Sequence, residues 1–334
     1  EGGGLPIAAA AAARRLRPRD AGAALQGGGL RGYGAAFAAA MVAVRVAMRL
    51  PSMHEGDNWY LWHYGRSHLE PLPPNAMLVV WGDLQQFSVR YLQLCEGYRT
   101  DVSVIDLAMA SYHWYVPNQR SNLPRVHFPG EAYHPFPPLS PIPAFSLADL
   151  FDANAARMPM YTLPPPHNDI SWQQRYRLLP VGILRRAMRR EANTSLAEWI
   201  KHSSNALPTF PMPNASRYGV GTWEARMKEE AHSNIYAYVH DLLTEAARNS
   251  DQESIKHAVQ VLESTIRQQT PHPDPNFVFH LGYAYQELLK LSRAAADLDR
   301  MITSFRTFLQ AAPPSDERRK QVVGILDFYQ RPRV

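Results

Sequence analysis

The densest arrangement of chemically capable side chains lies in residues 75–115, NAMLVVWGDLQQFSVRYLQLCEGYRTDVSVIDLAMASYHWY. Gly82-Asp83 follows an apolar run of strand length (76–81), and Asp106 closes a second such run, DVSVID at 101–106. Carboxylates at the carboxyl ends of neighbouring parallel strands are placed where doubly wound folds hold ligands, here a sugar hydroxyl or a metal. Gly82, Asp83 and Asp106 are therefore the candidate ligand-binding residues. All three also have a purely structural reading. Asp83 with Gln86 fits a capping box, Gly82 relaxes the turn, and Asp106 can cap the helix that follows. Capping is the more economical account, because a single Gly-Asp lacks the glycines that let a backbone approach pyrophosphate. Asp101 reads as an ordinary turn acid.

Other chemistry is sparse. His63 and His68 are five residues apart and share no helical face, and there is no cysteine cluster, so no metal site is expected. No G-x-S-x-G elbow is present. The one cysteine, Cys95, excludes an intrachain disulfide and, inside a predicted helix, is expected to be buried. Six arginines in RYRLLPVGILRRAMRR (175–190) suggest a solvated basic face. Stacking aromatics are few there, so nucleic acid is not an expected partner. Asn193-Thr194-Ser195 and Asn214-Ala215-Ser216 make Asn193 and Asn214 candidates for N-glycosylation.

These residues need elements to position them. The pattern predicts a helix from Asp57, as its cap, to the prolines at 71–74, and another over 84–98 with Phe87, Tyr91 and Leu94 on one face. Strands over 76–81 and 101–106 joined by that second helix make a parallel βαβ unit, followed by a helix over 107–115. The stretch 117–183 is rich in proline and aromatics, and long ordered loops are expected there, with a short helix near 146–157. From Thr222 onward, helices alternate with short polar or proline breaks, and LGYAYQEL and FRTFLQAAP resemble tetratricopeptide helices. The expected fold class is α/β plus all-α: a Rossmann-like domain over 51–221, then tetratricopeptide-like helical pairs over 222–334.

Residues 1–50 are Ala/Gly/Arg-rich, with seven arginines and only Glu1 and Asp20 as acids. The apolar run 35–50 contains Arg45 and Arg49 and falls short of the roughly 20 apolar residues of a span. It is expected to be the remnant of a membrane span, with everything after Pro51 on the non-cytoplasmic side. The chain begins with Glu1 and is expected to be a fragment. Its 334 residues suffice for two domains, and 46% hydrophobic residues with a net charge of +5 describe a globular composition.

The segments LPPNAMLVVWGDLQQFSVRYLQLCEGYRTDVSVIDLAMASYHWYV, LPRVHFPG (123–130) and WEARMK (223–228) resemble the C-terminal region of the transmembrane protein 260 family. That family carries the domain of unknown function numbered 2723. The resemblance runs from about Asp57 to the C-terminus. It implies a protein O-mannosyltransferase of the endoplasmic-reticulum membrane that takes mannose from dolichyl-phosphate mannose to Ser or Thr of secretory and cell-surface proteins. This region would be lumenal and would position acceptors. The membrane would be engaged through an N-terminal polytopic half not matched here. No catalytic residue is carried over and no cofactor is expected in the chain itself. Two alternatives remain: a non-catalytic helical interaction module, and a soluble sugar-binding α/β enzyme using Asp83 and Asp106.

Overall fold

The computed structural model describes residues 29–53, 56–208, 212–213, 217–269 and 272–330. Two compact units are present, residues 1–58 and Trp59–Val334. Within the first, α1 (Gly29–Met53) carries its described large apolar side chains, Phe37, Met41 and Leu50 among them, exposed. Among the described residues no helix is long and apolar enough to cross a membrane.

The second unit begins with α2 (Tyr60–Leu69), β1 (Met77–Val80), α3 (Asp83–Cys95) and β2 (Ser103–Asp106). β1 and β2 are parallel, with Val80 opposite Asp106, as the βαβ reading requires. Next come α4 (Leu107–Ala110), α5 (Tyr115–Asn122), the short parallel pair β3 (Ala132–Tyr133) and β4 (Ala144–Phe145), and α6 (Leu147–Asn154). Ser146 and Asp149 form a capping box at the start of α6, near where a short helix is expected. The single helix expected over 107–115 is instead split between α4 and α5.

The loops expected over 117–183 contain more strand than their composition suggests. β5 (Met160–Thr162) pairs parallel with β1, and β6 (Tyr176–Val181) and β7 (Leu184–Arg189) form a hairpin whose β7 edge pairs antiparallel with β5. The sheet order is β2-β1-β5-β7-β6. Gly182, at φ +59, supplies the first central position of the two-residue hairpin turn, where a left-handed backbone is needed. The basic face read over 175–190 is solvated, with Arg175, Arg189 and Arg190 exposed and none of its arginines buried. Four of them also have protein partners: Arg175 and Arg189 reach Asp152, Arg177 donates to the Ala192 carbonyl, and Arg190 donates to that of Gln173.

Period-two alternation divides the strands between two cores. Leu78, Val80, Val104 and Val181 face a core shared with Val89 and Leu92 of α3. Met77, Val79, Ile105 and Tyr176 face the other, with Val116 of α5 and Leu147 and Phe151 of α6. α7 (Leu196–Ser204) then leads to α8 (Trp223–Arg248), α9 (Gln252–Gln268), α10 (Pro275–Ser292), α11 (Ala295–Ala311) and α12 (Arg318–Gln330). Polar caps start four of them: Ser195 for α7, Thr222 for α8, Asp251 for α9 and Asp274 for α10. Consecutive helices pack against each other, and Tyr238, Leu242, Phe277 and Phe305 continue the core that begins at α3. The protein is thus a mixed α/β structure with a partly parallel sheet and a helical C-terminal portion.

Candidate functional site

The chain leaves β1 for β2 by way of α3 on one face of the sheet, and reaches β5 by way of α5 and α6 on the other. The carboxyl ends of β1 and β5 therefore bound the topological switch point, where ligands bind in such folds. Gly82, Asp83 and Asp106 all lie at this edge, and Asp83 is close enough to Asp106 to raise its pKa. Their roles diverge.

Asp106 is 3% exposed and caps α4, with Oδ1 accepting the backbone N–H groups of Ala108 (2.8 Å) and Met109 (3.2 Å). Its own N–H donates to the Tyr115 hydroxyl at 3.2 Å. Burial pushes its carboxyl pKa up against those hydrogen bonds. Asp83 is exposed and is not the N-cap. Gly82 holds that position at φ +118, so the expected capping box is absent and Asp83 sits in the first turn. Cap chemistry assigns the larger energy to the buried acid. Asp106→Ala should cost about 0.5–2 kcal/mol, and Asp83→Asn, which loses only a charge near the positive helix end, about 0.3–1 kcal/mol. Urea unfolding of the two variants measures the order.

Two further expectations are corrected. Cys95, the last residue of α3, is exposed. Phe87, Tyr91 and Leu94 do share one face of α3, the outer one, while Leu84, Val89 and Leu92 are buried. α2 starts at Tyr60 after Trp59, not at an Asp57 cap. Asp101 pairs with Arg99 at 2.8 Å, and that guanidinium holds its pKa down to about 2. His68 is fully buried with Nδ1 2.7 Å from the Tyr64 carbonyl, and burial lowers its pKa to about 4. No group of metal-ligating side chains is present among the described residues.

A cavity of about 390 Å³ reaches Asp83 from outside, lined by Leu61, Trp62, Phe87, Tyr91 and Trp223. Beneath it the Gln85 amide donates to Glu230 of α8, beside the buried Tyr64 phenol. Burial raises the Glu230 pKa. An acid whose pKa is raised by folding leaves the protein most stable below its unfolded pKa and loses that stability as pH rises through the folded value. Glu230→Gln keeps an acceptor for Gln85 and removes the charge. Its stability relative to the parent should therefore grow from pH 4 to pH 7, as read from urea midpoints, and a flat difference would refute the assignment.

Two polar cavities open on the helical portion. One, about 690 Å³, lies among β6, α7 and α8 and is lined by Arg177, Asn193, Trp199, His240 and Asp241. Asn193 is exposed at its mouth, while Ser195 of the same sequon caps α7. Asn214 lies outside the described residues. The second, about 440 Å³, runs between α8 and α10 and is lined by Lys228, His232, Tyr236, Asp274 and Asn276. Burial lowers the His232 pKa to about 4, so its imidazole is neutral and can both donate and accept. His280 Nδ1 lies 2.9 Å from the Asn276 carbonyl and must donate to it, which leaves Nε2 to accept from His240 Nδ1 at 3.2 Å. Arg318 of α12 donates to the Asn276 side chain. Sequence reasoning missed this cleft because its members lie on two separate helices with no local motif.

Residues 62–124, from α2 to the end of α5, match the family profile described as TMEM260-associated domain 2. The chain is 26% identical over 314 residues to the protein O-mannosyl-transferase TMEM260 of Mus musculus, covering 91% of this chain and 44% of that one. It is 31% identical over 219 residues to the protein O-mannosyl-transferase tmem260 of Dictyostelium discoideum, covering 64% of this chain and 26% of that one. The chain thus spans less than half the length of these relatives. No solved structure matches it.

Proposed function

Because the chain belongs to the transmembrane protein 260 family, we propose that it is the acceptor-holding part of a protein O-mannosyl-transferase whose glycosyl transfer occurs in a separate membrane-embedded portion. Transfer to Ser or Thr needs a carboxylate to take the hydroxyl proton and a site for the lipid-linked donor, here read as dolichyl-phosphate mannose. The two edge acids are poor candidates for the base. Asp106 is a buried cap and Asp83 is a water-facing residue of a first helical turn.

The observation that carries the reading is the cleft between α8 and α10. Its neutral imidazole, Tyr236, Asn276 and Lys228 offer donors, acceptors and a flat ring to an extended polypeptide. On this reading α8–α12 act as tetratricopeptide-like pairs attached to a Rossmann-like sheet, and acceptor binding there raises its effective concentration at the membrane site. In the complete enzyme, Lys228→Glu with Tyr236→Ala should lower mannosylation of a folded acceptor at least tenfold through KM, with kcat retained. Unchanged KM would exclude the cleft. The reading also places this region in the endoplasmic-reticulum lumen. A glycosidase-sensitive mobility shift that shrinks in Asn193→Gln and disappears when Asn214→Gln is added is the expected signature.

A further inference from the structure

The outer surface of α2, α3 and the first turn of α8 is apolar and uncovered within the unit Trp59–Val334. Phe87 and Tyr91 line one cavity with Trp62 and Trp223, Leu94 follows one turn on, and Trp59 packs edge-on against Trp62. Phe87, Tyr91, Leu94, Trp59 and Trp223 are each more than half exposed. A contiguous patch of this kind marks an interaction surface, unlike scattered surface apolar residues.

We propose that this patch seats in the headgroup region of a lipid bilayer. Side-chain type selects that partner first. Trp and Tyr, with an apolar body and one polar tip, concentrate at membrane–water interfaces, and here they surround Phe87 and Leu94. Two of the nearby charges are engaged within the protein, and Asp83 at the cavity is a single acid against five large apolar side chains. Glu96 accepts the Trp62 indole N–H at 2.8 Å, and Arg66 lies over the Trp62 and Tyr98 rings while reaching Glu70.

The preceding helix supplies a second, independent argument. Along α1, Phe37, Met41, Val44 and Met48 form one exposed stripe, and Val42, Val46 and Leu50 form another on the opposite side. A protein groove covers one stripe, whereas a lipid phase covers both. No described helix is long and apolar enough to cross a membrane. Residues 54–58 are all that separates Met53 from Trp59. The proposal stands on the patch and on α1, and it does not depend on acceptor binding between α8 and α10.

The test is hydroxyl-radical footprinting of the full chain with and without phosphatidylcholine vesicles. Labelling of Phe87, Tyr91 and Leu94 should fall at least fivefold on vesicles, while Leu139, exposed elsewhere, is unchanged. The triple variant Phe87→Ser/Tyr91→Ser/Leu94→Ser changes only exposed positions. It should keep its thermal midpoint and lose vesicle protection at Trp59 and Trp223. Vesicle binding through α1 that leaves labelling of the patch unaltered overturns the proposal. Protection that grows with protein concentration in the absence of lipid also overturns it, by making a second copy of the chain the occupant.

Discussion

Asp169→Ala should lower the unfolding free energy by about 3–4 kcal/mol, the sum expected when several buried donors lose one acceptor. Asp169 is 2% exposed, and both of its oxygens are used. Oδ2 accepts from the Tyr133 hydroxyl (2.9 Å) and the Leu147 N–H (3.0 Å). Oδ1 accepts from the Ser171 N–H (2.9 Å) and its hydroxyl (2.6 Å). One carboxylate therefore joins β3, the start of α6 and the turn that leads into β6. Alanine leaves the Tyr133 hydroxyl and two backbone N–H groups without an acceptor in a dry site. Asp169→Asn should recover about half of the loss, because the Ser171 hydroxyl can turn to accept from the new amide. Urea unfolding followed by far-UV circular dichroism gives the comparison. A loss under about 1 kcal/mol for alanine would mean that water replaces the carboxylate.

Gly182→Ala should cost about 3 kcal/mol, from two terms that add because they have separate causes. An L-residue at φ +59 pays about 1–2 kcal/mol for the left-handed backbone. The added Cβ would also fall inside contact distance of the Ala206 carbonyl, a backbone group that cannot swing aside. Overpacking of that kind costs about 1–3 kcal/mol. The carbonyl is held in place because it accepts the Ile183 N–H at 3.2 Å, which fixes the end of α7 against the hairpin turn. Gly219→Ala is the control, since nothing lies within 4 Å of its Cβ position and its φ is not positive. It should change stability by no more than about 0.5 kcal/mol. Similar losses for the two variants would remove the steric argument.

Both residues escaped sequence reading for the same reason. Asp169 sits in a proline-rich stretch, and its four donors come from Tyr133, Leu147 and Ser171, up to 36 positions away. Gly182-Ile183 between the runs YRLLPV and LRRAMR is a hairpin signal. The six arginines around it hid the strands, because the Asp149 and Asp152 partners of Arg175 lie on α6, 26 and 23 positions away.

By itself the sequence determined what is local in chain distance. The apolar run before Gly82 and the alternation before Asp106 specify two strands, and the connecting helix makes them parallel. The Ser146 capping box and the capping residues Thr222, Asp251 and Asp274 mark helix starts within a few residues of where they occur. Tertiary structure alone decided which face of each helix is inside. α3 carries Phe87/Tyr91/Leu94 on one face and Gln85/Val89/Leu92 on another, and i, i+4, i+7 spacing is satisfied by either. The choice falls to the second because α2 approaches α3 closely at Gly65, where a Cβ would lie 2.7 Å from the Ser88 carbonyl, and presses that side onto the sheet. Burial is a property of what packs across from a residue, and that information lies in no window of the chain. The same rule assigned Asp106 to a buried cap, left Asp83 in water, and collected His232, Tyr236 and Asn276 into one cleft from two helices 40 residues apart in places.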